Sequence, residues 1–399
     1  MTTAADAGSD VRAPLTTHDF LAIDSSLSDE ERLIRDTVRA FVRRDLLHQL
    51  PDAYTQGRLP AGFPTAAGQL GLLGMHLHGY GCPGTSAVCY GLACMELEAG
   101  DSGLRSFVSV QGSLAMFAIW RYGSELHKQT WLPRMAKGVA IGCFGLTEPD
   151  AGSDPAAMRT TARREDDGWV LNGTKMWITN GDIADVAIVW AKTPDGIRGF
   201  VVPRTTPGFS THEITHKLSL RASTTSELSF DDSRLPADAV LPQAFGLRAP
   251  LSCLTEARFG IIWGAVGAAR ACYEAALAYA STRTQFRSPI AGFQLTQAKL
   301  VDMLTHVNNS YLLALHLGRL KDAGQLHPEQ VSYAKLHNVD KALNVARTAR
   351  TILGASGITL DYPVMRHMAN LESVLTYEGT SEIHTLVVGR AVTGIAAFH

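Results

Sequence analysis

Residues 168–203 read GWVLNGTKMWITNGDIADVAIVWAKTPDGIRGFVVP. Runs rich in β-branched and aromatic residues (GWVLNG, KMWIT, VAIVWA, GFVVP) are separated by turn-forming residues, the signature of short strands. Asn172-Gly173 and Asn180-Gly181 predict hairpin turns, because such turns need residues that tolerate positive φ. No long helical crossover separates the runs, so an antiparallel sheet is expected. The same texture extends from Cys143 to about Gly246 and includes SELSF at 226–230.

Helical patterns flank this block. Upstream, SDEERLIRDTVRAFVRRDL (28–46) opens with Ser28 and Glu31 spaced as a capping box. Leu33, Ile34, Val38, Phe41 and Val42 are expected to line its apolar face. Helices are also expected through GLLGMHL (71–77), AVCYGLACMELEA (87–99) and GSLAMFAIWRYG (112–123). Downstream, the stretch 255–286 is apolar around much of its circumference, and Leu300, Leu304, Val307, Tyr311 and Leu315 recur at helical spacing. Pro328 stands where a first helical turn accepts proline. The chain therefore reads as α+β: an N-terminal helical domain (1–142), a small antiparallel β domain (143–247) and a C-terminal antiparallel helical bundle (248–399). Broad apolar faces on the last helices predict that a second bundle packs against them. Residues 1–18, small, polar and partly acidic, are expected to form a disordered arm.

Composition excludes several classes. With 399 residues, 46% hydrophobic and 19% charged, and a formal charge of -2, the chain lacks the basic footprint of a nucleic-acid binder. No apolar run approaches the roughly 20 residues of a membrane span, and the start resembles neither a signal nor a transit peptide. A cytoplasmic protein is expected. The six cysteines form no CxxC pair and there is no HExxH, so no metal site is expected.

Five motifs invite chemistry. Gly79-Tyr80-Gly81-Cys82-Pro83-Gly84 matches GxGxxG but lacks the preceding strand and following βα units of a dinucleotide fold, so a tight turn is expected. Asp150-Ala151-Gly152-Ser153-Asp154 offers donors suited to phosphates or a polar ring edge, and equally reads as an ordinary turn. Trp177 and Thr179, two apart, are expected on one strand face, where they can back a planar group or simply pack. Arg105 suits a bidentate carboxylate contact or a surface ion pair. Finally, Tyr377-Glu378-Gly379-Thr380 breaks two helical patterns with a carboxylate beside a glycine.

Taken in order, GLTEPDAGSD (145–154), NGTKMWITNG (172–181), RTQF (283–286) with Gln294, ILGASGI (352–358) and YEGTSEIHTLVVGRAVTG (377–394) resemble the acyl-CoA dehydrogenase family from about Leu27 to Phe398. HKLSLRAS, SCLTEARFGIIWG, LGRLKD and NLESVLTYEGT resemble its glutaryl-CoA dehydrogenase branch. The resemblance implies FAD between the β domain and the C-terminal bundle, held by Phe144, Leu146, Thr147, Gly152, Ser153, Trp177, Ile178 and Thr179. Arg283, Phe286, Gln294, the Thr351, Leu353, Gly354 and Ala355 turn, Thr380 and Phe398 would complete cofactor contacts, several from a neighbouring subunit of a homotetramer. Glu378 would be the catalytic base. Arg105, Ser106, Glu98, Ser153, Arg258, Tyr377 and Gly379 would meet the acyl-CoA substrate, with Arg105 and Ser106 on the distal carboxylate of glutaryl-CoA. An electron-transferring flavoprotein would take the electrons. The implied reaction is oxidative decarboxylation to crotonyl-CoA. A non-decarboxylating short- or branched-chain acyl-CoA dehydrogenase, or a flavin-free CoA-binding scaffold, are the alternatives.

Overall fold

A computed structural model of the chain describes residues 15–397. Phe398 and most of the expected N-terminal arm lie outside the described residues.

The first long helix, α1 (Asp29–Phe41), starts at the expected box: Ser28 Oγ accepts from Glu31 N–H, and the Glu31 carboxylate accepts from Ser28 N–H at 2.8 Å. Val38, Phe41 and Val42 are buried as expected, but Leu33 is 67% exposed. Glu31 and Arg35 fill the buried face instead, each paired with an opposite charge, Arg319 and Asp24. The expected helix at 71–77 is a series of turns. Gly71 and Gly74 both adopt positive φ, and a Cβ on Gly74 would lie 2.5 Å from Met116 Cε. GYGCPG is the expected tight turn, closing a two-residue hairpin between His78–Gly79 and Cys82–Pro83. Two buried helices follow, α2 (Ala87–Gly100) and α3 (Ser102–Ser109).

The middle of the chain forms one seven-stranded sheet: β1 (Gly142–Gly145), β2 (Thr161–Glu165), β3 (Gly168–Thr179), β4 (Val186–Thr193), β5 (Gly196–Pro203), β6 (Phe209–Glu213) and β7 (Thr225–Pro236). Strand order is β1-β4-β2-β3-β7-β6, with β5 also paired to β4. Most pairings are antiparallel, but β4 runs parallel to β1 and meets β2 in a parallel sense. The expected hairpins at both Asn-Gly pairs do not form. Asn172-Gly173 is an irregularity within β3, where the register against β7 slips between Leu171 and Gly173. Asn180-Gly181 makes a turn, yet the next strand, β4, lies two places away from β3. The first misreading has a physical cause, since an extra residue in a strand recruits the same permissive residues as a turn.

Five helices complete the chain: α4 (Arg248–Thr282), α5 (Gln294–Asp322), α6 (Pro328–Leu353), α7 (Val364–Thr376) and α8 (Ser381–Thr393). Pro328 sits in the first turn of α6, and Leu300, Val307, Tyr311 and Leu315 are buried on α5. The 35-residue α4 is buried along most of its length, which makes it the shared wall of the N-terminal and C-terminal cores. Among the described residues no helix is long and apolar enough to cross a membrane.

This interior buries histidines that must stay neutral. His367 and His384 have no hydrogen-bond partner for either ring nitrogen among the described residues. Burial first, then neighbouring cations, depresses each to about 3. The unfolded chain binds these protons below about pH 6.5 while the fold refuses them, so each group removes about 1.4 kcal/mol of stability per pH unit. Buried Glu96, held down to about 2 by Arg270 and Arg39 against the upward pull of burial, adds its own loss only below about pH 4.5. Melting temperature should therefore fall steadily from pH 6 to 4.5, and His367→Gln should flatten that slope. A constant melting temperature over this range would contradict the buried neutral assignment.

Candidate active site

The turn from Tyr377 to Thr380 joins α7 to α8. Its backbone is unusual: Glu378 has φ +52° and Gly379 φ +100°. A non-glycine residue in the left-handed region costs about 1–2 kcal/mol, so Glu378 is not there for the comfort of the turn. Gly379 is required by packing as well, because a Cβ there would lie 2.8 Å from His384 Nε2 and 3.3 Å from Arg258 Nη2. Thr380 caps α8 by accepting from Ile383 N–H, which gives that hydroxyl a structural duty.

Four helices converge on Glu378. Arg258, on α4, donates Nε–H to the Glu378 carbonyl at 2.6 Å. Lys335, on α6 and almost fully buried, donates Nζ–H to the Gly379 carbonyl at 2.7 Å and to that of Tyr377. The Glu378 N–H donates to no backbone carbonyl among the described residues, and its Oε2 is enclosed without a partner. Burial raises the Glu378 carboxyl above the usual range, while Arg105, Lys335 and Arg258 oppose that rise. The result is an enclosed carboxylate of enhanced basicity beside an unused backbone donor.

Arg105, on α3, forms the second polar centre. It is fully buried, donates Nε–H to Glu98 Oε2 at 2.6 Å and donates Nη2–H to the Tyr377 hydroxyl. Ser106 Oγ lies 3.3 Å from that hydroxyl. The Arg105 Nη1 group and Glu98 Oε1 remain without partners among the described residues. A buried guanidinium with a free edge is costly unless something fills it. Gly264 on α4 makes the pair possible: a Cβ there would lie 1.9 Å from Glu98 Oε2 and 3.1 Å from Arg105 Nε. Asp101 fixes this centre relative to the turn. It caps α3 through Gly103 N–H at 2.6 Å and accepts from Asn370 Nδ2 at 3.0 Å and from Arg366, both on α7.

The β domain presents a separate cradle. A buried ion pair, Lys175 to Glu148 at 2.8 Å, together with Lys175 Nζ–H on the Leu146 carbonyl, fastens residues 146–148 against β3. Thr147 and Thr179 hydroxyls make no side-chain hydrogen bond here. Trp177 sits in a second register slip, between Lys175 and Ile178, with φ +64° and 61% exposure. That slip, rather than simple strand alternation, turns Trp177 outward. An exposed indole beside unpartnered hydroxyls fits a planar group with a polar edge. Ser219 Oγ bonds Ser373 Oγ at 2.6 Å and Leu220 N–H bonds Asn370 at 2.7 Å, docking this domain onto α7, the helix that leads to Glu378.

The N-terminal, middle and C-terminal domains of acyl-CoA dehydrogenases match residues 28–139, 143–233 and 245–393 respectively. The chain belongs to the acyl-CoA dehydrogenase family. Among solved structures, this dehydrogenase is similar to a glutaryl-CoA dehydrogenase from Mycobacterium smegmatis, with 64% identity, TM-score 0.95, and coverage of 97% of this chain and 100% of that one. A glutaryl-CoA dehydrogenase from the same organism, solved in complex with FADH2, is 60% identical with the same TM-score and coverage. The mitochondrial short-chain specific acyl-CoA dehydrogenase of Bos taurus is 35% identical over 369 residues, 91% of this chain and 90% of its own length.

The structure of the dehydrogenase brings together Glu378, Tyr377, Gly379, Arg258, Arg105, Ser106 and Glu98, all expected from sequence. Four expected cofactor residues bury their side chains in the cores: Ile178 in that of the β domain, Leu353 in that of the C-terminal helices, and Phe144 and Leu146 in the largest core, where Phe144 packs against Trp190. Gly152 and Ser153 lie on an exposed turn, and Arg283, Phe286, Gln294, Thr351, Gly354 and Ala355 are exposed. Sequence reading missed Lys335 and His384. Lys335 carried a signal: it interrupts the buried stripe Val331, Ala334, Asn338, Val339 and Ala342 of α6.

Proposed function

We propose that this dehydrogenase oxidises glutaryl-CoA between its α and β carbons and then decarboxylates it to crotonyl-CoA. The observation that carries this reading is the buried Arg105 with its open Nη1 edge, a partner for a substrate carboxylate that a plain fatty acyl tail would leave unused. The likeness to two glutaryl-CoA dehydrogenases supports it. FAD is the cofactor, held by Thr147, Thr179 and Trp177. When bound, the flavin supplies the acceptor for the hydride leaving the β carbon. Arg283, Phe286, Gln294 and the Thr351–Ala355 turn are assigned to the flavin of a neighbouring copy in a homotetramer, and an electron-transferring flavoprotein to the role of oxidant.

Glu378 removes the α-proton. The Glu378 N–H, free of other duties, donates to the thioester oxygen and stabilises the charge that develops there. Arg105, steadied by Glu98 and the Tyr377 hydroxyl, holds the distal carboxylate. Once the α,β double bond exists, the C–C bond to that carboxylate breaks, carbon dioxide leaves, and its electron pair enters a dienolate. Glu378, now protonated, returns its proton to the γ carbon and is restored as a carboxylate.

Mixing the flavin-loaded protein with glutaryl-CoA and an artificial acceptor should yield crotonyl-CoA and carbon dioxide by mass analysis. Glutaconyl-CoA alone would remove decarboxylation. Oxidation of butyryl-CoA with none of glutaryl-CoA would favour the short-chain reading.

A further inference from the structure

The base needs one carboxylate, and the distal contact needs one guanidinium. Lys335 is an additional buried cation that neither step uses. Its ammonium lies at 1% exposure and bonds the carbonyls of Tyr377 and Gly379, the two residues flanking Glu378. Burying an ammonium costs several kcal/mol unless it is compensated, and a methionine would fill the same length of helix without that cost. The carbonyls that compensate it belong to the strained turn itself.

We propose that Lys335 is the positioning residue of the catalytic base, gripping its turn from both sides through the carbonyls of Tyr377 and Gly379. This rests on the reading of Glu378 as the base. The groups facing Lys335 are Glu378 and Tyr377 from the turn, Arg258 from α4, Arg105 from α3 and His384 from α8. Glu98 on α2 reaches the cluster through Arg105. Burial raises the Glu378 carboxyl, and the three cations oppose that rise. His384 stays neutral, since burial and the cations Lys335 and Arg258 depress it. Burial also pulls Lys335 down to about 7, against the attraction of Glu378. Its charge is therefore present on the acid side of neutrality and fades as pH rises. The rate profile should accordingly rise on its acid limb as Glu378 loses its proton and fall on its alkaline limb as Lys335 does.

The test measures flavin content and the rate of flavin reduction by glutaryl-CoA, from pH 5.5 to 9, in wild type, Lys335→Met, Lys335→Arg and Glu378→Gln. Lys335→Met should keep its flavin, lose about 10- to 100-fold in rate at pH 7, shift the acid limb upward by about one pH unit or more, and lose the alkaline limb. Lys335→Arg should keep the acid limb near that of wild type. Should Lys335→Met fail to fold, Lys335→Gln, which retains a donor without charge, should show the same upward shift. A uniform loss with both limbs unmoved would mark a merely structural lysine and overturn the proposal. Reduction surviving in Glu378→Gln would overturn the base reading itself; an inert Glu378→Gln beside an unmoved Lys335→Met would overturn only the role of Lys335.

Discussion

Glu378→Gln should bind flavin normally and fail to reduce it with glutaryl-CoA, losing at least about 1,000-fold in rate. The amide preserves the size of the side chain and leaves intact the backbone grips from Arg258 and Lys335. What it removes is the proton acceptor. In the wild type, burial raises the Glu378 carboxyl, so the rate should decline as pH falls through that raised value, because the protonated acid cannot accept a proton. The glutamine variant should show no such limb. Single-turnover absorbance of the flavin reads both effects, and near-normal bleaching in the variant would remove Glu378 from the chemistry.

The second large effect concerns the distal carboxylate. Replacing Arg105 alone would strand Glu98, whose Oε2 it holds at 2.6 Å in a fully buried setting, and an unpaired buried charge destabilises by about 3–5 kcal/mol. The informative variant is Arg105→Gln with Glu98→Gln, which removes both charges together. Its kcat/KM for glutaryl-CoA should fall by about 100-fold or more, the loss typical of a buried charge pair. For butyryl-CoA, which presents no distal charge, the change should stay within about 10-fold. Parallel losses on the two thioesters would mean that Arg105 supports the fold and not substrate choice.

Local features of the fold were legible because they depend on neighbours in sequence. The Ser28–Glu31 box and Pro328 at the head of α6 involve residues a few positions apart, and the structure has both. Asn172-Gly173 was misleading because a strand irregularity and a turn select the same residues. Leu33 was misread because Glu31 and Arg35 are neutralised by Arg319 and Asp24, and distant pairing is invisible to a periodicity argument. The site divides the same way. The odd carboxylate at 378 announced itself within a four-residue turn, whereas Lys335 reaches Gly379 from a helix 44 positions upstream. Trp177 faces outward through a register slip that strand alternation does not contain.

Gly264 guards the Glu98–Arg105 pair from an address where no functional group exists. Every replacement of glycine adds a carbon, and here that carbon would intrude 1.9 Å from Glu98 Oε2. Positions 98, 105 and 264 are therefore sterically coupled, and the side chains at two of them dictate what the third can be. While the acid and the guanidinium stay where they are, no side chain fits at 264. A larger side chain at 264 can enter only where those two side chains have given up their present positions.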